Sequence, residues 1–320
     1  MKPPSLLLVL CLLGSVPARA FDTALGSQTD ARFVDELAKC WAFLGINSVL
    51  AEKKGDKASS DTMGRAAIRA ETVALMLGDK TAFSQAKDSW IKSLPDSDIY
   101  RSADGFAQTN SNCLAALSNP THRYRYWNNT LRQEKRLPSL APLEIASQNP
   151  VLQQAIQHYQ AKAFEQALQL AQPLADSGDH DAQSLVGDIY ANASGKLSNL
   201  GEAEKWLLKS AESGNIPAQF DLAQLYLFYL KPANETKGQQ WMLRAANKGH
   251  PAAQSWVGLI ALKGSAQIAK DEQQGLTWLL LAQEAGDLTA SVMLKKMATQ
   301  FTPAMLAQAQ QQASSWSPQP

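Results

Sequence analysis

Cysteine and histidine are scarce in this chain, three and four residues among 320. No two cysteines form a CxxC pair. None of His122, His158, His180 and His250 has a second ligand-type residue three or four positions further on, so neither a metal site nor a cofactor is expected. GxSxG, HExxH and a phosphate-binding glycine loop are missing, which removes the common hydrolase, metalloprotease and nucleotide-binding chemistries. An excess of one charge is missing as well: 30 Lys and Arg stand against 29 Asp and Glu, leaving no electrostatic case for nucleic acid. No apolar run is long enough to span a bilayer.

What is present begins with an export signal. Lys2 supplies a positive start, Leu6 to Leu13 an apolar run, and Ala18-Arg19-Ala20 a small-x-small cleavage site. Residues 1–20 read as a signal peptide cleaved near Ala20; an uncleaved N-terminal anchor is the alternative. The product is expected to be periplasmic or secreted, with no integral membrane segment after signal removal. Cleavage removes Lys2, Arg19 and no acid, leaving 28 basic against 29 acidic residues. Cys11 leaves with the signal. Cys40 and Cys113 then read as one disulfide in an exported chain, or else as two separate buried thiols.

Residues 21–120 read as a helical domain. Phe33, Val34, Leu37, Trp41, Leu44 and Val49 form an apolar stripe with Cys40 inside it, broken at Gly55-Asp56. Ser59-Ser60-Asp61 offers caps for a second helix that stops at Gly78. A third helix runs from about 81 to 94, halted by Pro95, and a fourth from about 97 to 117, ending before Pro120. The disulfide would staple the first helix to the last. Residues 121–148 carry the basic, aromatic His122-Arg123-Tyr124-Arg125-Tyr126-Trp127, then Arg132, Lys135 and Arg136 among prolines. They read as an inter-domain linker whose aromatics pack on a neighbour, or as a glycan- or anion-binding patch.

From residue 149 a period takes over. Trp206, Trp241 and Trp278 recur at intervals of 35 and 37, each followed eight residues later by a glycine, Gly214, Gly249 and Gly286. A mid-thirties period is how stacked helical hairpins look in one dimension. Ala182, Ala218, Ala253 and Ala290 each follow a glycine by four residues, placing that glycine at a helix C-terminus. Asn199, Asn234 and Asp271, seven residues before each Trp, are good caps for a second helix. Gly187, Ala223 and Gly258 at the sixth position of the first helix are small enough for close helix approach. Residues 151–177 look like an earlier, divergent copy with Leu170 in place of Trp.

The pattern Ala-x-x-x-Leu-Gly-x-x-Tyr followed by Asp/Asn-x-x-x-Ala-x-x-Trp-x-x-x-Ala-Ala-x-x-Gly resembles the Sel1-like subfamily of tetratricopeptide-type repeats. Residues 182–217 carry it best, through Ala182, Val186, Gly187, Tyr190, Asn199, Ala203, Trp206, Ala211 and Gly214. Gly238 and Gly275 depart from it at the alanine position. The resemblance covers about residues 150–317 and implies an all-α, right-handed superhelical α-solenoid, closed by a C-terminal helix over 301–316. It also implies a concave face built from the first helices.

Along those first helices one line of positions changes chemistry from copy to copy: Leu185, Asp188, Asn192; Asp221, Gln224, Phe228; Trp256, Leu259, Lys263. Three- and four-residue spacings put each trio on one face. Asp188, Asp221, Gln224, Phe228, Trp256 and Leu259 are thus candidate partner contacts, with ordinary solvated or capping roles as the alternative. The combined expectation is a non-catalytic adaptor binding a protein or peptide in the cell envelope, in the manner of assembly complexes. The alternatives are an enzyme, or enzyme subunit, active through residues 21–120, and a glycan or peptidoglycan binder using the 122–136 patch.

Overall fold

The computed structural model describes residues 25–77, 80–135 and 147–319, and all regular structure among them is helical. The expected signal peptide lies outside the described residues, as do Gly78 and Arg136. No described helix is long and apolar enough to cross a membrane.

The chain opens with α1 (Leu25–Lys53), α2 (Lys57–Met76), α3 (Lys80–Ser93), the single turn α4 (Asp98–Arg101) and α5 (Ala103–Ser118). Phe33, Val34, Leu37, Cys40 and Leu44 recur at helical spacing and are buried, so α1 is the spine on which α2, α3 and α5 pack. The Cys40–Cys113 disulfide joins α1 to α5.

Three boundaries differ from the sequence expectation, each because of a cap. Asp56, not the serine pair, starts α2: its carboxylate accepts from the Ser59 N–H at 3.1 Å. Ser102 is extended and accepts from the Gly105 N–H at 2.9 Å, splitting the expected fourth helix into α4 and α5. Pro120 starts a helix instead of merely ending one. Asn119 caps the His122 N–H at 3.1 Å, and a proline at the first position needs no donor there. The first half of the linker expected over 121–148 is therefore a packed helix, α6 (Pro120–Glu134), that buries Tyr124, Asn128, Leu131 and Arg132, while residues 136–146 lie outside the described residues.

The array follows as five hairpins: α7 (Pro150–Gln160) with α8 (Phe164–Asp176), α9 (His180–Asn192) with α10 (Leu200–Glu212), α11 (Ile216–Gln224) with α12 (Glu235–Asn247), α13 (Pro251–Lys263) with α14 (Glu272–Glu284), and α15 (Leu288–Lys296) with α16 (Pro303–Ser315). One wider π turn, Leu225–Tyr229, extends α11. The hairpins reuse their caps. Asp179, Asn215, His250 and Asp287 accept from the N–H groups of Ala182, Ala218, Ala253 and Ala290 at 2.9, 2.9, 3.3 and 2.7 Å. Asn199, Asn234 and Asp271 cap the second helices. Gly178, Gly214, Gly249 and Gly286 sit at φ 99°, 95°, 93° and 78°, the left-handed region that only glycine occupies without strain. His250 is buried in its turn, with the Phe220 ring stacked 4.2 Å from it.

The small positions let helices touch. A Cβ on Gly187 would lie 2.6 Å from Leu207 Cγ, and one on Gly258 only 2.9 Å from the Gly275 carbonyl oxygen. Gly275, a departure from the repeat pattern, is thus the other half of a backbone contact: its own Cβ would lie 2.9 Å from the Gly258 carbonyl. Gly258→Val is expected to cost about 2–3 kcal/mol through overpacking against backbone that cannot give way, read as a lower denaturant midpoint. An unchanged midpoint would refute the contact. Trp206, Trp241 and Trp278 are buried between hairpins. Lys209 and Arg244 lie over the first two rings at 4.4 Å each, and Trp316 meets the third edge-on at 6.1 Å.

α1 and α6 also pack on the far end of the array, against α14 and α15. Asp30 on α1 accepts from the Tyr124 hydroxyl of α6 at 2.7 Å and from the Ser291 hydroxyl of α15 at 2.8 Å. Its second oxygen lies 2.9 Å from Lys295 Nζ.

Candidate functional site

The first helices α7, α9 and α11, the starts of α13 and α15, and the N-terminal turn of α6 surround one hollow of about 370 Å³. Its walls are partly apolar: Ile156 and Tyr159 from α7, Leu185 from α9, Pro217 and Phe220 from α11. Its polar groups are Gln160, Asp188, Asp221, His250 and Asp287 on the array, with Thr121 and His122 on α6 and Asn119 capping that helix. A second cavity of about 400 Å³ lies where α14, α15 and α16 meet the start of α1, with Leu276, Leu280, Leu294, Phe301 and Leu306 in its lining.

The hollow divides into two electrostatic halves. Toward one end, outside the lining itself, Arg125 on α6 donates to the Ala285 carbonyl. Burial brings its guanidinium down to about 10, with the charge of Asp287 opposing that shift. Burial pushes Asp287 up to about 6, and burial with the nearby Arg125 charge pushes His250 down to about 3. His250 is therefore neutral at neutral pH, with Nδ1 acting as the acceptor for the Ala253 N–H.

At the other end stand Asp188 and Asp221. Each is enclosed by protein yet keeps some surface open to the hollow. Burial raises both, Asp221 to about 7 and Asp188 well above the usual carboxylate range, with the charge of Asp221 adding to the effect on Asp188. Tyr159 beside them is also pushed up, by burial and then by the charges of Asp188 and Asp221. Its hydroxyl accepts from Asn192 Nδ2 at 3.1 Å.

Of the sequence candidates, Asp188 and Asp221 reach the hollow, and Leu185 joins them. Trp256 and Leu259 lie half-buried against the hydrophobic core, outside its lining. Gln224 is half-buried, while Phe228 is 53% exposed on the π turn. In the 122–136 patch, Arg123 pairs with Glu36 at 2.6 Å, the Trp127 indole donates to Glu36 at 2.8 Å, and Arg32 pairs with Glu134 at 2.8 Å. Those donors join α6 to α1, which leaves Tyr126 as the ring turned to solvent.

One recurring role was missed. Gln183, Gln219 and Gln254 each follow a repeat alanine and donate to the carbonyl eight residues earlier, of Ala175, Ala211 and Ala246, at 3.1, 3.1 and 3.3 Å. The Ala-Gln dipeptide in three copies was the available signal. The fourth copy reads Ala290-Ser291, and Ser291 is the residue that meets Asp30.

Residues 180–215, 216–250 and 251–287 match the Sel1 repeat family model in three consecutive copies. Residues 180–287 are thus Sel1 repeats in an all-α solenoid. The matched boundaries fall in the capping turns before α9, α11, α13 and α15, and the hairpins α7–α8 and α15–α16 extend the same geometry on either side.

Proposed function

We propose that this chain is an exported adaptor that holds a protein or peptide partner in the hollow of its Sel1 array. Sel1 repeats imply a protein-interaction role and are generally non-catalytic scaffolding. The observation that carries the reading is the shared hollow: several successive hairpins turn side chains of differing chemistry toward one space, while the turn glycines and the packing alanines recur unchanged. α6 bounds the rim of that space, so the N-terminal helices help shape the site. Export, with a periplasmic or secreted destination, is supported by the residue 1–20 pattern and by the Cys40–Cys113 disulfide, which suits an oxidising compartment. A cell-envelope assembly complex is the setting we favour for the partner.

The test is crosslinked affinity capture from the native envelope. Wild type is compared with Ile156→Trp/Gln160→Trp, which fills the hollow with two indoles, and with Phe228→Ala outside it. Partners recovered with wild type and Phe228→Ala should fall at least tenfold with the filled variant. Equal recovery by all three would overturn the hollow as the binding face. A glycan partner would instead depend on Tyr126, so equal glycan retention by wild type and Tyr126→Ala argues against the patch.

A further inference from the structure

The acidic half of the hollow contains an unmatched pair. Asp188 and Asp221 come from the first helices of adjacent repeats, and both open onto the same space. Among the described residues neither side chain has a hydrogen-bond donor or a cation as partner. What acts on Asp188 is burial and the charge of Asp221, and what acts on Asp221 is burial. Arg125, toward the other half, donates to the Ala285 carbonyl, and its charge acts on His250 and Asp287. Burial holds both as acids that resist ionising, and a cation delivered between them would stabilise the ionised pair.

The surroundings specify what that something is. Ile156, Leu185, Pro217 and Phe220 give the hollow apolar and aromatic walls beside the carboxylates. A cation that fits has an apolar stem to lie along those walls and a multi-donor tip to reach both acids. A volume of about 370 Å³ is at the small end of ligand pockets, which run from about 300 to 1,000 Å³. That is room for one long side chain and the backbone on either side of it. We propose that the hollow seats a single lysine or arginine side chain of the partner polypeptide, its charged tip between Asp188 and Asp221. This rests on the adaptor reading and assigns the partner a chemistry: a segment with one exposed basic residue flanked by small or apolar ones.

The probes are the capped pentapeptide Ac-Ala-Ala-Lys-Ala-Ala-NH2 and its Arg, norleucine and Glu analogues, with free putrescine alongside. Each is titrated into the full exported chain by calorimetry and by methyl chemical-shift perturbation. The Lys and Arg peptides should bind at least tenfold tighter than the norleucine and Glu peptides, with shifts at Ile156 and Leu185. Asp188→Asn/Asp221→Asn should abolish that preference while melting no lower than wild type at pH 7.5, because amides of the same shape replace two acids that burial penalises when ionised. If the double variant does not fold, Asp188→Asn alone is judged by the same tenfold criterion. Equal affinity of the Lys and norleucine peptides overturns the proposal, as does an undiminished preference in the variant. Putrescine binding as tightly as the Lys peptide overturns the polypeptide source. If the double variant still captures the envelope partners that the indole-filled variant loses, the adaptor reading stands and the cation seat falls.

Discussion

Replacing Asp30 with alanine is expected to loosen α1 and α6 from the last hairpin and to cost the folded chain about 3 kcal/mol. The carboxylate is buried and serves three groups at once: the Tyr124 hydroxyl at 2.7 Å, the Ser291 hydroxyl at 2.8 Å and Lys295 Nζ at 2.9 Å. Removing one partner of a buried charged set costs about 3–5 kcal/mol, because the remaining groups lose their match inside the protein. The lower end applies because Lys295 is 34% exposed and can return to water. Tyr124→Phe separates packing from polarity. The ring stays against Phe33, 5.7 Å between centroids, and the carboxylate keeps Ser291 and Lys295, so the cost should be about 1 kcal/mol. Denaturant unfolding gives the two numbers. Hydrogen exchange locates them, with protection in Asp30→Ala falling first along α6 and α15. A cost below about 1 kcal/mol for Asp30→Ala would mean that apolar packing alone holds the two regions together.

How much of this could be read from residues depends on how far apart the interacting groups lie. The array was legible because its signals are local: a glycine with positive φ, an Asn or Asp cap and a small residue where two helices touch all act within about forty residues of one another. Even Gly275, which broke the repeat pattern, answers to the facing Gly258. α6 was not legible. Its basic and aromatic side chains find partners in Glu36, Asp30 and Ser291, between 87 and 167 residues away, so the segment in isolation has the look of a connector. The candidate face was legible in part. The changing trios did point to Asp188 and Asp221, but no periodicity says that α13 lays Trp256 against the core while offering its cap, His250, to the hollow. That choice is made by the stacking of successive hairpins and by α6 at the rim, both tertiary facts.

The second large effect belongs to the N-terminal helices. Cys40→Ser/Cys113→Ser should destabilise the chain by about 4 kcal/mol, since the bridge closes a loop across 73 positions and restricts the unfolded chain accordingly. Both sulfur-bearing residues are 1% exposed, so a reductant reaches them only when α1 and α5 part. Reduction should therefore be slow in the native protein and quicken with denaturant in step with unfolding. The loss should also be uneven. α2, α3 and α5 depend on α1 for their core, whereas α9 to α14 are held by their own caps, glycines and tryptophans. Exchange protection in the double variant should collapse in the first group and persist in the second, and binding of a partner in the hollow should weaken only as far as α6 shifts. Thiol titration of the denatured, unreduced protein fixes the premise: two reactive groups would remove the bridge, and none would leave it standing. Uniform loss of protection through the array would show instead that the disulfide, by fixing α1 against α14 and α15, also supports the last repeats.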